Sequence, residues 1–211
     1  DILTSRSLLK KGVAIDRLIQ NLIKDTSIDS KSLYIGDRNA IIVHARASAY
    51  GEDYTTKVSC PACGETSKFK FDLSRYEIYH GDNLEKIEIT ETHEGTFITM
   101  LPLSNIQAEI RPLTGRDEMK MVSSSKRKET LENLITRQMK HFVVSFNGYT
   151  DSKTINYVVD NMVATDSKYI RDVFKLISPD LILADNFECS SCDHEEVMSV
   201  PFGADFFWPD R

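Results

Sequence analysis

The chain has 211 residues, 41% of them hydrophobic and 27% charged, which suffices for one substantial domain or two small ones with a real core. Its formal net charge of −6 argues against broad binding to nucleic acid or to an anionic membrane surface, because both depend on Lys and Arg neutralising phosphate. No run approaches the roughly 18 consecutive apolar residues of a membrane-spanning helix, and Asp1-Ile2-Leu3-Thr4-Ser5-Arg6 lacks the layout of a signal peptide, so a soluble cytosolic protein is expected. The absence of an initial Met leaves open a further N-terminal piece.

The first predicted element is a helix capped by Ser5 or Ser7, in which Leu8, Leu9, Val13, Ile15, Leu18, Ile19, Leu22 and Ile23 recur at helical spacing and Gly12 is a weak point. A polar break over residues 26–32 follows. A second helix starts near Gly36-Asp37 and stops at Tyr50-Gly51, with Ile41, Ile42, Ala45 and Ala49 on one side and Arg38 and Arg46 elsewhere. The two helices should pack together.

A β-rich stretch comes next. Residues 54–58, 68–73, 87–89, 97–100 and 108–111 alternate as half-buried strands do, and Glu91-Thr92-His93-Glu94-Gly95 reads as a hairpin turn. His93-Glu94 lacks the second His of a zinc-protease motif. At Thr114 the pattern becomes helical: Thr114 is an N-cap, and Asp117 and Glu118 complement the positive end of the helix dipole. Helices are predicted over 115–124, 129–142, 152–163 and 166–177, with Leu131, Leu134, Ile135, Met139 and Phe142 as a core stripe, Thr165-Asp166-Ser167 as a second capping signal and Pro179 as a stop. Lys126-Arg127-Lys128 is read as a solvated turn rather than a phosphate contact.

The four cysteines fall as Cys60-Pro61-Ala62-Cys63 and Cys189-Ser190-Ser191-Cys192, and none is left over. A C-x-x-C turn aims two thiolates and several backbone N–H groups at one point, and two such turns complete a tetrahedral four-sulfur site. Cys60, Cys63, Cys189 and Cys192 are therefore read as ligands of one structural zinc ion, with no open position for catalysis. His194 is an alternative imidazole donor for which four sulfurs leave no vacancy. Two disulfides or a thioredoxin-like redox centre are the competing readings, although the chain carries no secretion signal and a redox centre leaves the second pair unexplained. Strand-like segments follow both knuckles, Thr66 to Leu73 and Glu196 to Phe202, which is the arrangement of a zinc ribbon split by a long insertion.

No glycine-rich phosphate loop, Gly-x-Ser-x-Gly motif or paired-carboxylate motif occurs, and His44, His80, His93, His141 and His194 are scattered, each read as a surface or packing residue. The expectation is a protein that is not an enzyme. The end of the chain, with Phe202, Phe206, Phe207 and Trp208, either packs back on the core or anchors a partner.

The fold class expected is α+β: helical segments packed around a small antiparallel β region with a split four-cysteine zinc ribbon. Its parts are an N-terminal helical segment at 1–51, a β-rich region with the first knuckle at 52–111, a helical insertion at 112–180, and the second knuckle, closing strand and aromatic tail at 181–211, forming one compact unit. Several segments together, namely Asp37-Arg38-Asn39-Ala40-Ile41-Ile42-Val43 ending in Ala49-Tyr50-Gly51, Cys60-Pro61-Ala62-Cys63-Gly64, Arg111-Pro112-Leu113-Thr114-Gly115-Arg116-Asp117-Glu118, the second C-x-x-C and the Pro201-Phe202 to Phe207-Trp208-Pro209 ending, resemble the baseplate proteins of T-even-like contractile-tailed phages, in particular the baseplate hub assembly family. That resemblance spans nearly the whole chain. It implies a protein made in the infected bacterial cytoplasm that helps to build the central hub as an assembly chaperone, a hub component of the virion, or both, with other hub proteins as partners. A nucleic-acid-binding zinc ribbon is the alternative, but between Phe69 and His80 Lys70 and Arg75 face Asp72 and Glu77. A C-x-x-C thiol oxidoreductase is the second alternative, and it requires an exposed, low-pKa cysteine.

Overall fold

In the computed structural model of the chain, residues 13–82, 84–124, 131–201 and Phe206 are described. The upstream half of the predicted first helix, the Lys126-Arg127-Lys128 cluster, and Phe202, Phe207 and Trp208 lie outside the described residues. Among the described residues the fold opens with α1 (Val13–Leu22) and α2 (Ile35–Tyr50). Among the described residues nine strands and four further α-helices follow: β1 (Asp53–Ser59), β2 (Thr66–Asp72), β3 (Tyr76–Tyr79), β4 (Ile89–Glu91), β5 (Phe97–Met100), β6 (Gln107–Ile110), α3 (Gly115–Ser124), α4 (Leu131–Phe142), β7 (Val143–Phe146), α5 (Ser152–Asp160), α6 (Ala164–Ile177), β8 (Asp180–Glu188) and β9 (Glu195–Ser199). This is the mixed helix-and-sheet architecture expected.

The strands form three small antiparallel sheets. β1 pairs with β2, β8 pairs with both β3 and β9, and β4-β5-β6-β7 form a four-stranded sheet. Since β3 and β8 are hydrogen-bonded neighbours with Tyr76 opposite Leu183, the chain between them leaves and re-enters one sheet at adjacent points. β4 through α6 occupy that excursion.

Two hydrophobic cores result. The first gathers Ile19, Val43, Tyr54, Phe71, Leu183 and Phe187 around the helix pair and the two knuckle hairpins, and Phe206 packs fully buried into it. The second gathers Phe97, Ile110, Phe142, Phe146, Ile170 and Val173 between the four-stranded sheet and the later helices. Phe142 stacks on Phe174 at 4.3 Å between ring centroids. Leu134 does not join this core; it is 41% exposed, so the apolar stripe of α4 is narrower than its sequence spacing implied.

Polar groups hold the seam between the cores. The Ile35 N–H donates to the Leu113 carbonyl and the Gly115 N–H to the Leu33 carbonyl, both at 3.1 Å, so the starts of α2 and α3 are stitched together. Arg38, expected apart from the Ile41 and Ala45 side of α2, is itself buried, with Nη2 2.6 Å from Asp16 Oδ1 and Nη1 donating to the Ser30 carbonyl. A Cβ on Gly115 would sit 2.7 Å from the Arg38 guanidinium, so glycine leaves room for the charge. Gly36 plays the same part under the returning chain, where a Cβ would stand 2.1 Å from the Pro179 carbonyl oxygen.

Capping follows the sequence at one helix and departs from it at another. At α3, Asp117 accepts from both the N–H and the hydroxyl of Thr114, at 2.9 and 2.8 Å, which is the backward half of a capping box. Asp166 lies within the first turn of α6 rather than capping it, and its carboxylate instead accepts the N–H groups of Leu103 and Ser104 at 2.9 and 3.0 Å.

Burial by itself would raise the Asp117 carboxyl, but the bidentate Arg111 guanidinium and the two Thr114 donors outweigh it and hold the pKa at about 2. A folded-state pKa below the unfolded value means stability that is complete above about pH 4 and is lost as pH falls through about 2, on the order of 2 kcal/mol. In urea denaturation across that range, Asp117→Asn should lower stability at neutral pH by about 2 kcal/mol and flatten the acid limb. An acid limb parallel to that of the wild type would refute the assignment.

Candidate metal centre

Each C-x-x-C is the tip of a hairpin. β1 and β2 close with Ser59 opposite Thr66, and β8 and β9 close with Glu188 opposite Glu195. The two turns share one hydrogen-bond pattern. The Cys60 N–H donates to the Glu65 carbonyl at 2.8 Å and the Gly64 N–H to the Cys60 carbonyl at 2.9 Å; the Cys189 N–H donates to the His194 carbonyl at 2.9 Å and the Asp193 N–H to the Cys189 carbonyl at 3.0 Å. Gly64 and Asp193 occupy equivalent positions, with φ of +75° and +53°. Glycine adopts that left-handed conformation freely, and Asp is among the few other residues that visit it.

Burial then brings the tips together. Val58 and Phe71 of one hairpin and Phe187 of the other lie in the first core, as do Cys60 and Cys189, while Cys63 and Cys192 are exposed. The Phe69 ring meets Phe187 edge-on at 5.5 Å, linking the two hairpins behind the cysteines.

All four Sγ atoms lie within 4.8 Å of one another. Cys60 Sγ is 3.8 Å from Cys192 Sγ, and Cys63 Sγ is 3.7 Å from Cys189 Sγ. A tetrahedron of sulfurs about 2.3 Å from a central ion has edges of roughly 3.8 Å, so these separations suit a metal. They are far too long for S–S bonds, and all four cysteines are free thiols. The structure thus brings together all four residues singled out by spacing. His194 stays outside the cluster, its Nε2 3.4 Å from Glu196 Oε2.

The electrostatics favour a cation. The Cys63 N–H is the main cause that lowers the Cys60 thiol to about 7, with the Ala62 N–H adding to it against the cost of burial. For Cys192 the His194 N–H acts downward, but the sulfurs of Cys63, Cys189 and Cys60 outweigh it together with burial and push the thiol up to about 12. One thiolate forms readily and the last is opposed by its neighbours. A divalent cation between them reverses that opposition, because metal binding and thiol deprotonation are linked. Soft thiolates select zinc, copper(I) or iron–sulfur chemistry over hard cations.

The other histidines stand apart from this centre. His44 packs edge-on against Tyr76 at 5.3 Å, His80 and His93 are exposed, and burial pushes His141 below the ordinary histidine value. Among the described residues the four cysteines are the one cluster of three or more metal-type donors. The spacing revealed the cysteines. The equivalence of Gly64 and Asp193, by contrast, was visible only as one turn-forming residue directly after each motif.

A protein-family model described as T4 bacteriophage base plate protein matches residues 2–208, nearly the whole chain. No curated protein and no solved structure matches it.

If the cluster is a metal site, metal-free protein titrated with cobalt(II) should develop thiolate-to-cobalt charge-transfer absorption that saturates at one equivalent. Cys60→Ser should abolish the tetrathiolate spectrum and lower the melting temperature, since an incomplete sulfur set forfeits much of the metal's contribution to folding. An unchanged melting temperature in that variant, or no charge-transfer band in the wild type, would overturn the assignment.

Proposed function

The chain belongs to the T4 bacteriophage base plate protein family, and from that premise we propose that it is a non-enzymatic component or assembly chaperone of the central baseplate hub, held together by one structural zinc ion. The observation that carries the reading is the family match across residues 2–208. It is made in the host cytoplasm during tail assembly, joins other hub subunits and becomes part of the tail baseplate. No helix among the described residues is long and apolar enough to cross a membrane.

Zinc is the metal because four thiolates at tetrahedral spacing suit it, and a four-cysteine set fills its coordination shell. A filled shell leaves no position for a water or substrate, so the ion stabilises the ribbon and performs no reaction. The net charge of −6 fits a protein that meets proteins rather than phosphate backbones. Zinc ties the hairpins, the hairpins complete the first core, and the second core is carried as an excursion between β3 and β8, making one unit.

The test uses infected cells. Hub intermediates should contain the chain at fixed stoichiometry with one zinc per copy, and phage lacking its gene should stall before a complete hub. Normal yields of tailed, infectious particles without it would sink the hub role, while zinc-free protein of full stability would sink the metal alone.

A further inference from the structure

The two knuckle hairpins carry opposite charges on their outer faces. In β1 and β2, alternation turns Val58 and Phe71 inward and Lys57 and Lys68 outward, where both are exposed and stand directly opposite each other across the ladder. In β8 and β9 it turns Phe187 inward and Glu188 and Glu195 outward, again exposed and directly opposite. Like charges at such cross-strand positions destabilise a hairpin, so neither pair serves the fold of its own ribbon.

No ion pair among the described residues relieves either of them. At the base of the first hairpin Lys70 pairs with Asp53 at 2.8 Å and Arg75 with Asp72 at 3.1 Å, which leaves Lys57 and Lys68 as the unanswered charges of that face. On the second hairpin the His194 ring stands 3.4 Å from Glu196, while Glu188 and Glu195 have no cation beside them among the described residues. The hairpins meet through their inner faces, Phe69 against Phe187, so the two charged faces are turned away from each other. Within one molecule the lysine pair does not meet the glutamate pair.

We propose that these faces dock copies of this chain to one another, with Lys57 and Lys68 of one copy set against Glu188 and Glu195 of the next. The charges match two against two, and both pairs ride on exposed two-stranded faces whose turns share one hydrogen-bond pattern. Val197, 66% exposed in the row behind Glu195, adds apolar surface for such a contact to cover. The net charge of −6 opposes a nucleic acid as occupant of the lysine face. Since each copy offers one patch and receives on another, the contact is head-to-tail, the kind that closes into a ring or runs on as a filament. It adds a partner of the chain's own kind to the hub reading and does not depend on that reading.

Sedimentation velocity of the full-length chain tests this. At about 0.1 M salt, where charges act over about 10 Å, the mean mass should rise with protein concentration; at about 1 M salt, where their reach falls to about 3 Å, it should return to that of the monomer. Lys57→Glu with Lys68→Glu, and separately Glu188→Lys with Glu195→Lys, should each raise the concentration needed for association at least about tenfold. Both swaps replace one like-charged pair by another, so the melting temperature should stay close to that of the wild type. Mixing the two reversed chains sets acidic faces against basic ones again and should restore association that neither shows alone, which a misfolded variant would not do. A monomer at every concentration in low salt, association indifferent to salt or to either swap, or reversed chains that stay apart on mixing would each overturn the proposal. So would a chain that remains monomeric while its lysine pair binds an oligonucleotide, which assigns that face to nucleic acid instead.

Discussion

Four sulfur atoms within 4.8 Å of one another, two from each end of the chain's longest excursion, form the constraint around which the first core closes. Bringing such distant segments together costs chain entropy on the order of 5 kcal/mol, and gathering four ionisable thiols adds electrostatic opposition. Hydrophobic burial offsets part of this, because Val58, Phe71 and Phe187 are sealed behind the knuckles. The electrostatic part needs a counter-charge. Backbone N–H groups supply enough to favour one thiolate at Cys60, but not enough for Cys192, which lies against three other sulfurs. The proposed zinc answers that imbalance.

The knuckles are not the only tie between the ends. β3 pairs with β8, the Tyr54 hydroxyl donates to the Pro201 carbonyl at 3.5 Å, and Arg46 holds the Phe206 carbonyl. These contacts share one geometry: segments from before and after the excursion lie side by side. Their two buried guanidiniums serve different parts. Arg38 faces Asp16 and Ser30 at the seam with α3, whereas Arg46 faces backbone carbonyls and aromatic rings at the chain end. Each is a cation in a dry setting, so its partners are as necessary as the core side chains around it; removing one partner of such a pair leaves a buried charge uncompensated.

Much of this was legible in the sequence where local signals agree. Thr114, Asp117 and Glu118 placed the start of α3, alternation placed β5 at residues 97–100, and the two C-x-x-C motifs identified the four cysteines that meet. The remainder depended on tertiary context. β7 follows α4 with no break residue between Phe142 and Val143, so nothing local marks the change from helix to strand. β3 shows no clean alternation in exposure, and it exists because β8 pairs with it. β8 begins just after Pro179, and its alternately buried Leu181 and Leu183 were hidden within a short apolar run that either structure would accommodate. Nothing local marked Arg38 and Arg46 as buried, since a charged side chain on a helix is usually exposed; their partners at residues 16, 30 and 206 lie beyond the reach of a local pattern.

The placement of the second core follows from the same geometry. Because its entry and exit are neighbouring strands, it can be carried by the first core without either hydrophobic cluster threading the other. What couples them is close backbone approach. Gly36 and Gly81 lie directly under the chain at 177–180, and a Cβ at either would stand within 2.6 Å of a carbonyl oxygen, of Pro179 for the first and Ile177 for the second. Only glycine allows so close an approach at those two positions. The seam joins the two cores by main-chain contact and by the Arg38 guanidinium, whose Nη2 lies 3.6 Å from Glu118 Oε2 of α3.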